Sequence, residues 1–270
     1  MHEITVAVVQ TSPVVERPDM NLQRMGQTID EICRAQKVDL IVFPELTTTG
    51  YECGVHFTDL AERVPGPTVN LLAQRAADYS TYLVFGMAAK TKVESVLYDA
   101  AIVIGRDGEL LGQYNKVHLR GEERMAFRAG FKYPVFEADF GGFGVLIGWD
   151  LAFPEAARSL ALDGVDLLCV LANWEQSYAS EWRSYLTSRA FENAVFIAAA
   201  NRVGEDYTIP FGGGSLVIGP RGTIHASADE PIESYAVARI DADEVRRYRE
   251  EFQMIQCREP ATYRALVRKY

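Results

Sequence analysis

The sequence predicts an α/β fold in which helices cover a mixed or parallel β-sheet. Short apolar runs, typical of buried strands, alternate along the 270 residues with stretches whose apolar residues recur every three or four positions. Pro, Gly and Ser separate these segments but never accumulate into a linker, and no short-period repeat occurs. We therefore predict one domain over residues 1–270, with two similar αβ halves and an active site at the carboxyl ends of the strands.

In the first half, the apolar run Ile4–Gln10 predicts a strand, and the helical spacing of apolar residues within 18–36 predicts a helix after it. The run Val38–Phe43 is apolar enough for a strand covered on both faces. The remaining predicted elements are a helix from Thr68, its N-cap, to Tyr79, strands at 82–85 and 100–104, and a turn at 106–108 leading into a strand at 110–114.

The second half repeats this alternation. The run Ala194–Ala200 contains only apolar residues, as expected of a buried strand. The turn Pro220-Arg221-Gly222 predicts a hairpin between strands at 215–219 and 235–240. The other predicted elements are strands at 144–147 and 166–171, helices at 155–162, 180–193 and 245–252, and an extended tail to Tyr270.

Composition excludes several classes of function. The chain carries 37 acidic and 27 basic side chains, a formal charge of −10, so we expect neither a nucleic-acid partner nor an anionic membrane. No apolar run approaches the about 20 residues that span a bilayer. The amino terminus lacks the basic region and apolar core of a signal peptide, so a cytoplasmic location is expected.

The spacing of cysteines and histidines argues against a metal site. Cys33, Cys53, Cys169 and Cys257 form no CxxC pair, and the four histidines are scattered. Cys33 lies on a helical apolar face and Cys169 in a buried strand, so both are interpreted as core thiols.

Chemically interesting residues follow three of the predicted strands. Glu45 comes directly after an apolar strand, where burial would raise its pKa and make it a competent base, although a paired structural carboxylate is the alternative. Lys116 could be a fixed cation for a developing oxyanion, or a surface lysine. After the strand at 144–147 the chain turns sharply into a helix, as in a nucleophile elbow, and the apex is Gly148.

Taken together, these segments resemble the nitrilase (carbon–nitrogen hydrolase) superfamily, in its amidase-like branch. The family's FPE, K-x-H-L and I-C-x-D-x-x-F-P-E motifs are matched by Phe43-Pro44-Glu45, Lys116-Val117-His118-Leu119 and Ile147–Glu155, with Gly148 at the family's Cys. Further matches are Thr49-Gly50-Tyr51, Arg189–Asn193, Asn201–Gly204, Gly214-Ser215 and Pro220-Arg221-Gly222. Because these motifs occur in the same order and with similar spacing in the family, a chance match is a poor explanation.

The resemblance implies a four-layer α-β-β-α sandwich, and a mechanism in which a Cys thiolate attacks an amide or nitrile carbon. It makes Glu45 the general base, Lys116 the oxyanion stabiliser and Glu123 the second glutamate, with Glu122 a weaker candidate. The backbone N–H of Trp149 would also bind the oxyanion. The resemblance implies no cofactor, no metal and a homodimer formed through surface helices, to which residues 241–270 would contribute.

Gly148 removes the atom on which that mechanism depends. Trp149 and Asp150 cannot replace a thiol, and Cys53 and Cys169 lie elsewhere in the pattern, so the chain is predicted to be inactive or nearly so. Losing a nucleophile costs about 10⁴ to 10⁶ in rate. Three explanations stay open: an introduced substitution in an active amidase, a natural pseudoenzyme that binds a small amide or a protein, or a turn glycine with an unusual φ. We favour the first, because two buried carboxylates and a buried lysine are costly to keep unless they act together.

The substrate is predicted from the loops around the elbow. Asn173 and Trp174 follow a strand end and are expected to line the pocket with Tyr51 and Trp149; His56 and Tyr178 could add walls. Ala152 stands where many family members carry Arg, which weakens the case for a substrate carboxylate at this position. We predict a small aliphatic or aromatic primary amide first, an N-carbamoyl amine or amino acid second, and a nitrile third. A non-catalytic interaction protein is the alternative from another class.

Overall fold

The computed structural model describes residues 3–92 and 96–268. The strands there are β1 (Glu3–Gln10), β2 (Leu40–Val42), β3 (Glu62–Arg63), β4 (Tyr82–Lys90), β5 (Leu97–Ile104), β6 (Leu110–Asn115), β7 (Val135–Ala138), β8 (Gly141–Ile147), β9 (Leu167–Ala172), β10 (Phe196–Asn201), β11 (Val203–Glu205), β12 (Pro210–Gly212), β13 (Ser215–Ile218), β14 (Ile224–Ala228) and β15 (Ser234–Asp241). The helices are α1 (Pro18–Ala35), α2 (Phe57–Leu60), α3 (Pro67–Tyr79), α4 (Glu123–Ala126), α5 (Pro154–Leu162), α6 (Ala179–Asn193) and α7 (Asp243–Phe252).

Two mixed sheets form the centre of the molecule. The strand order is β15-β1-β2-β4-β5-β6 in the first sheet, with β3 beside β4, and β14-β13-β10-β9-β8-β7 in the second. In each sheet the central strands are parallel and the outer strands antiparallel. The strands β11 and β12 form a separate two-stranded ribbon. The prediction of an α/β fold with mixed sheets is therefore confirmed.

Apolar side chains divide the molecule into four layers. The inner faces of the two sheets pack together, with Val42 of the first sheet and Ile147 and Leu171 of the second in one buried cluster. Helices α1 and α3 cover the outer face of the first sheet, and α5 and α6 cover the outer face of the second. Each helix contributes one apolar stripe, so both outer sheet faces are buried. This is the expected α-β-β-α sandwich.

Two predictions are wrong in detail. The N-cap of α3 is Gly66, and Thr68 lies inside the first turn, where its backbone N–H and its hydroxyl donate to the carboxylate of Glu62. The strand at 235–240 does not pair across the turn at 220–222; β13 pairs with β14, whereas β15 pairs along its whole length with β1 in the other sheet. The sequence IHASA of β14 has one large apolar residue, Ile224, which is exposed, and otherwise His, Ser and Ala, so it lacks the apolar run that marks a buried strand.

The carboxyl-terminal segment also differs from the prediction. Helix α7 forms as expected, but residues 260–262 and 264–267 adopt short 3₁₀ turns in place of an extended tail. The final two residues of the predicted tail, 269–270, lie outside the described residues. A helix with the length and apolar character required to traverse a bilayer is not found in the described part of the chain.

Strand β4 runs directly against the loop that carries Glu45. A Cβ atom built on Gly86 would lie 2.5 Å from the backbone nitrogen of Leu46 and 2.6 Å from the Cα of Glu45. The backbone N–H of Gly86 also donates to the carbonyl of Pro44. The absence of a side chain at Gly86 therefore allows the loop to lie in the position from which Glu45 enters the interior.

We expect Gly86→Ala to lower the free energy of unfolding by about 1 to 3 kcal/mol, because the added methyl group would displace backbone atoms. The matched control is Gly26→Ala in α1, where a Cβ would meet only the guanidinium of Arg75, at 3.6 Å. That change should be neutral or stabilise the helix by about 0.5 to 1 kcal/mol. Urea denaturation of both variants measures the difference, and equal effects would contradict the role assigned to Gly86.

Candidate active site

Glu45 enters the interior from the loop that follows β2. Glu45 is 1% exposed. Both oxygens of its carboxylate accept hydrogen bonds. The Oε1 atom accepts from Nζ of Lys116 at 2.5 Å, and Oε2 accepts from the backbone N–H of Asn173 at 2.8 Å. Because Asn173 follows β9 of the second sheet, this carboxylate joins the carboxyl ends of strands from both sheets.

Lys116 follows β6 and is also 1% exposed. Besides Glu45, its ammonium group contacts Oε1 of Glu123 at 2.7 Å and Oδ2 of Asp99 at 3.5 Å. Burial alone would lower the pKa of this lysine, but the carboxylates of Glu45, Glu123 and Asp99 raise it well above its usual value. Lys116 therefore stays charged at neutral pH.

Glu123 begins the short helix α4 and also contacts the ammonium group of Lys116. Its Oε1 atom also accepts a hydrogen bond from the hydroxyl of Tyr51 at 2.8 Å, and its Oε2 accepts from the backbone N–H of Arg120 at 2.9 Å. The neighbouring Glu122 is exposed. It lines a second cleft nearer the surface, here called the outer cleft, whose lining does not include Lys116. Of the two adjacent glutamates, only Glu123 belongs to the charged cluster.

Asp99 is a buried member of this cluster that sequence reasoning missed. It lies on β5 with no exposed surface. Burial, together with the charge of Glu45, raises its pKa well above the ordinary value of 3.8. The raised pKa means that Asp99 gives up its proton less readily than an exposed aspartate does. The available signal was an aspartate inside the otherwise apolar strand LYDAAIVI.

The three carboxylates around Lys116 are also close enough to share a cation. Ligand oxygens of Glu45, Asp99 and Glu123 lie within 4.8 Å of one another. The ammonium group of Lys116 already contacts all three residues, at 2.5 to 3.5 Å. Chemically, the arrangement is a carboxylate cage around an ammonium group.

Gly148 forms the apex of a sharp turn between β8 and a 3₁₀ segment at 148–152. Its φ is +45°, in the left-handed region. Asp150 secures this turn from inside: it accepts hydrogen bonds from the backbone N–H of Ile147 at 3.1 Å and from the hydroxyl of Tyr114 at 2.6 Å. It also accepts from the backbone N–H of His118 at 2.9 Å, which ties the elbow to the segment carrying Lys116.

A side chain at position 148 would point directly into the charged cluster. A Cβ atom built on Gly148 would lie 2.8 Å from Oε2 of Glu45 and 3.0 Å from Nζ of Lys116. Both contacts involve the ends of flexible side chains, so small shifts of Glu45 and Lys116 would make space for the atom, while the φ of +45° would strain the backbone of any other residue here. The residues predicted from separate strand ends therefore meet around one point.

A cleft of about 350 Å³ opens over this point. Its lining includes the predicted substrate-contacting residues Tyr51, Trp149, Asn173, Trp174 and Tyr178. His56 is not among them: its imidazole lies at the surface, where Nδ1 contacts Glu16 at 2.5 Å. Cys53 and Cys169 are both buried and absent from this lining, as their positions in the sequence suggested.

Two further features of the cleft were not predicted. The guanidinium of Arg120 lies over the rings of Trp149 and Tyr178, at 4.7 and 5.0 Å, and forms one wall. The side-chain amide of Asn173 is buried, and neither its nitrogen nor its oxygen has a hydrogen-bond partner among the described residues. A buried amide without partners is costly, and a bound polar ligand would remove that cost.

Comparison with known proteins identifies the relatives of this chain. The model of the carbon-nitrogen hydrolase family matches residues 5–250. A probable nitrilase from Schizosaccharomyces pombe is 40% identical over 97% of this chain and 98% of its own length. Both findings confirm the resemblance drawn from the three motifs.

Solved structures share the fold. A carbon-nitrogen hydrolase from Helicobacter pylori G27 superimposes with a TM-score of 0.92 over 99% of both chains, at 22% identity. A double mutant of the amidase from Nesterenkonia sp. AN1, in complex with acrylamide, has a TM-score of 0.86 and 25% identity, over 99% of this chain and 98% of that one. From its motifs, its fold and these relatives, we conclude that the chain belongs to the carbon–nitrogen hydrolase (nitrilase) superfamily.

Proposed function

We propose that this chain has the binding site of an amidase, takes a small primary amide, and lacks efficient turnover because Gly148 occupies the position of the nucleophile. The observation that carries the proposal is the convergence on Gly148, whose missing Cβ would lie 2.8 Å from Glu45 and 3.0 Å from Lys116. A base and a fixed cation within contact of one side-chain position are what a thiol nucleophile requires. The Nesterenkonia amidase variant that binds acrylamide supports an amide ligand.

With a thiol at position 148, the groups present can complete a hydrolysis. Glu45 takes the thiol proton, and the sulfur forms a bond to the amide carbon. The negative charge that develops on the amide oxygen is stabilised by Lys116 and by the backbone N–H of Trp149. Glu45 then returns the proton to the amide nitrogen. The C–N bond breaks, ammonia departs, and a thioester remains on the enzyme.

Hydrolysis of the thioester uses the same base. Glu45 removes a proton from water as the water oxygen attacks the thioester carbon. The C–S bond then breaks, the acid is released, and Glu45 passes the proton to the sulfur. Glu123, held by Tyr51 and Lys116, orients the water or substrate. Without sulfur neither step begins, so the unaltered chain should retain an intact amide.

The retained charged cluster favours one of two explanations. A functional site that has lost its thiol fits it better than a site that never had a thiol. Glu45, Lys116, Asp99 and Glu123 are all at least 90% buried, and a pseudoenzyme gains nothing from keeping four such groups. An introduced substitution at position 148 accounts for all of them. A natural binding protein of the same family is the competing explanation.

An N-carbamoyl amine is a second candidate substrate, favoured by the charge of the outer cleft. The outer cleft has a volume of about 700 Å³. Apart from Glu123, its charged lining residues are Arg120 and the three acids Glu52, Glu122 and Glu175. The excess of negative charge disfavours a substrate carboxylate and suits a neutral or cationic end. Comparing valeramide, 5-aminovaleramide and glutaramate with the N-carbamoyl compounds butylurea and N-carbamoylputrescine as substrates of Gly148→Cys separates these cases.

We expect Gly148→Cys to raise ammonia release from small amides by about 10⁴ to 10⁶ over the unaltered chain, because it restores the nucleophile. The matched control is Gly148→Ala, which adds the Cβ without the sulfur and should stay inactive. Adding Glu45→Gln to the cysteine variant should remove the gain. An inactive Gly148→Cys on a panel of amides, nitriles and N-carbamoyl compounds would overturn the amidase proposal and favour the binding protein.

Binding by the unaltered chain provides a separate prediction. Isothermal titration calorimetry should detect binding of the same amides that Gly148→Cys hydrolyses, because the cleft and its polar groups are already present. Asn173→Ala should weaken that binding by about 10-fold, since it removes a buried hydrogen-bonding amide. Binding that is unchanged in Asn173→Ala would show that this amide does not contact the ligand.

The raised pKa of Asp99 predicts a pH-dependent stability. Between the ordinary value of 3.8 and the raised pKa, the folded chain holds a proton that the unfolded chain has released. Stability therefore falls as pH rises through that window, by at most about 1.4 kcal/mol per pH unit. Asp99→Asn keeps a neutral group there, so its stability relative to the unaltered chain should increase with pH in urea denaturation.

The control for that experiment is Asp163→Asn, at an exposed residue after α5. It removes one surface carboxylate without touching the charged cluster. A stability difference between Asp99→Asn and the unaltered chain that stays constant with pH would contradict a protonated Asp99.

A further inference from the structure

A second buried ion pair lies behind the loop that carries Tyr51. Arg202 follows β10 and Asp206 follows β11, and their side chains have no exposed surface. The guanidinium Nη1 of Arg202 and Oδ1 of Asp206 are 2.7 Å apart. Neither residue lines the cleft described above. Removing two charges from water is costly, so we expect this ion pair to hold other parts of the structure in place.

Asp206 binds two consecutive backbone amides of the Tyr51 loop. Its Oδ2 atom accepts from the N–H of Tyr51 at 2.8 Å and from the N–H of Glu52 at 3.0 Å. These contacts span more than 150 residues of sequence, from the ribbon β11–β12 to the loop after β2. The carboxylate therefore fixes the backbone at the point where the Tyr51 side chain begins.

Arg202 keeps Asp206 in that position and supports the Tyr51 ring. Its Nη2 donates to the carbonyl of Pro13 at 3.2 Å, and its guanidinium lies 4.3 Å from the ring centre of Phe211. Phe211 in turn contacts the ring of Tyr51 edge to face, with centres 6.1 Å apart. Tyr51 is thus held at its backbone by Asp206 and at its ring by Phe211.

The other end of Tyr51 reaches the charged cluster. Its hydroxyl donates at 2.8 Å to Oε1 of Glu123, the same atom that accepts from Lys116 at 2.7 Å. A displacement of the Tyr51 backbone would lengthen this bond and leave Oε1 of Glu123 with Lys116 alone. One rigid side chain therefore links Asp206 to Glu123.

We propose that Asp206, held by Arg202, is a positioning residue for the charged cluster, acting through Tyr51 on Glu123 and Lys116. This inference rests on the proposed amidase function, because its effect is on the geometry of that site. Asp206 itself lines neither cleft and does not touch position 148. Its proposed influence on the charged cluster passes through the hydroxyl of Tyr51.

A double-mutant cycle in the Gly148→Cys background tests this route. Asp206→Asn and Tyr51→Phe should each lower kcat by about 10- to 100-fold, because each disturbs the hydrogen bond to a charged carboxylate. The double variant should be no slower than Tyr51→Phe, within about threefold, since both changes act on one bond. Effects that multiply, or an Asp206→Asn variant that folds and keeps full kcat, would overturn the proposal.

A second readout separates this test from the proposed function. The rate at which methyl methanethiosulfonate, which has no amide group, modifies the thiol introduced by Gly148→Cys, followed against pH by mass spectrometry of the peptide that contains residue 148, depends on the charged cluster and needs no amide. Asp206→Asn should shift this pH profile, and should not shift it further when Tyr51→Phe is present. If Gly148→Cys hydrolyses no amide yet shows this coupled shift, the proposed function fails and the positioning role stands.

Two further variants control for loss of folding. Asp166→Asn breaks the ion pair with Arg249, at 2.9 Å, remote from the cluster, and should lower stability while changing kcat less than twofold. If Asp206→Asn does not fold, Phe211→Leu takes its place in the cycle, because it removes the ring contact to Tyr51 and keeps the ion pair. A Phe211→Leu effect that multiplies with Tyr51→Phe counts against the proposal in the same way.

Discussion

The ammonium group of Lys116 organises the centre of this molecule. Three separate segments deliver the groups that surround it: the loop after β2, strand β5 and the start of α4. Buried charges of this kind are tolerated only when each has a partner, so the positions of Glu45, Glu123 and Asp99 depend on one another. The close approach of Gly86 to the Glu45 loop makes space for one of these carboxylates. The raised pKa of Asp99 follows from its burial beside the charge of Glu45.

Around that centre, the turn at Gly148 has the geometry of an elbow. Asp150 binds the backbone N–H of Ile147 just before the turn and that of His118 in the Lys116 segment, and Gly148 has the left-handed φ of a sharp apex. The cleft above it still carries an amide without partners at Asn173. The turn, the charged cluster and the cleft are thus all arranged around a side chain that Gly148 lacks. This arrangement supports the proposal that the thiol alone was removed.

Much of this was predictable from local pattern. Alternation of apolar runs with helical spacing identified nearly every long element, and three short motifs placed Glu45, Lys116 and Gly148 at strand ends. Asp99 escaped because a single aspartate in an apolar strand carries no motif; its meaning comes from a lysine 17 residues later, brought beside it by the pairing of β5 with β6. Strand β14 escaped because its one large apolar residue, Ile224, is exposed and the rest are small or polar, so it gives no burial signal.

The sequence by itself determined the layer pattern, the family and the residue types available for catalysis, because burial periodicity and motif spacing are properties of neighbouring residues. Tertiary structure alone decided which of those residues meet. It sent β15 to the sheet of β1, brought Asp206 to the backbone of Tyr51, and gathered three carboxylates around one ammonium group. Such contacts join residues far apart in the chain, and their free energy depends on distance and desolvation, neither of which is written in local sequence.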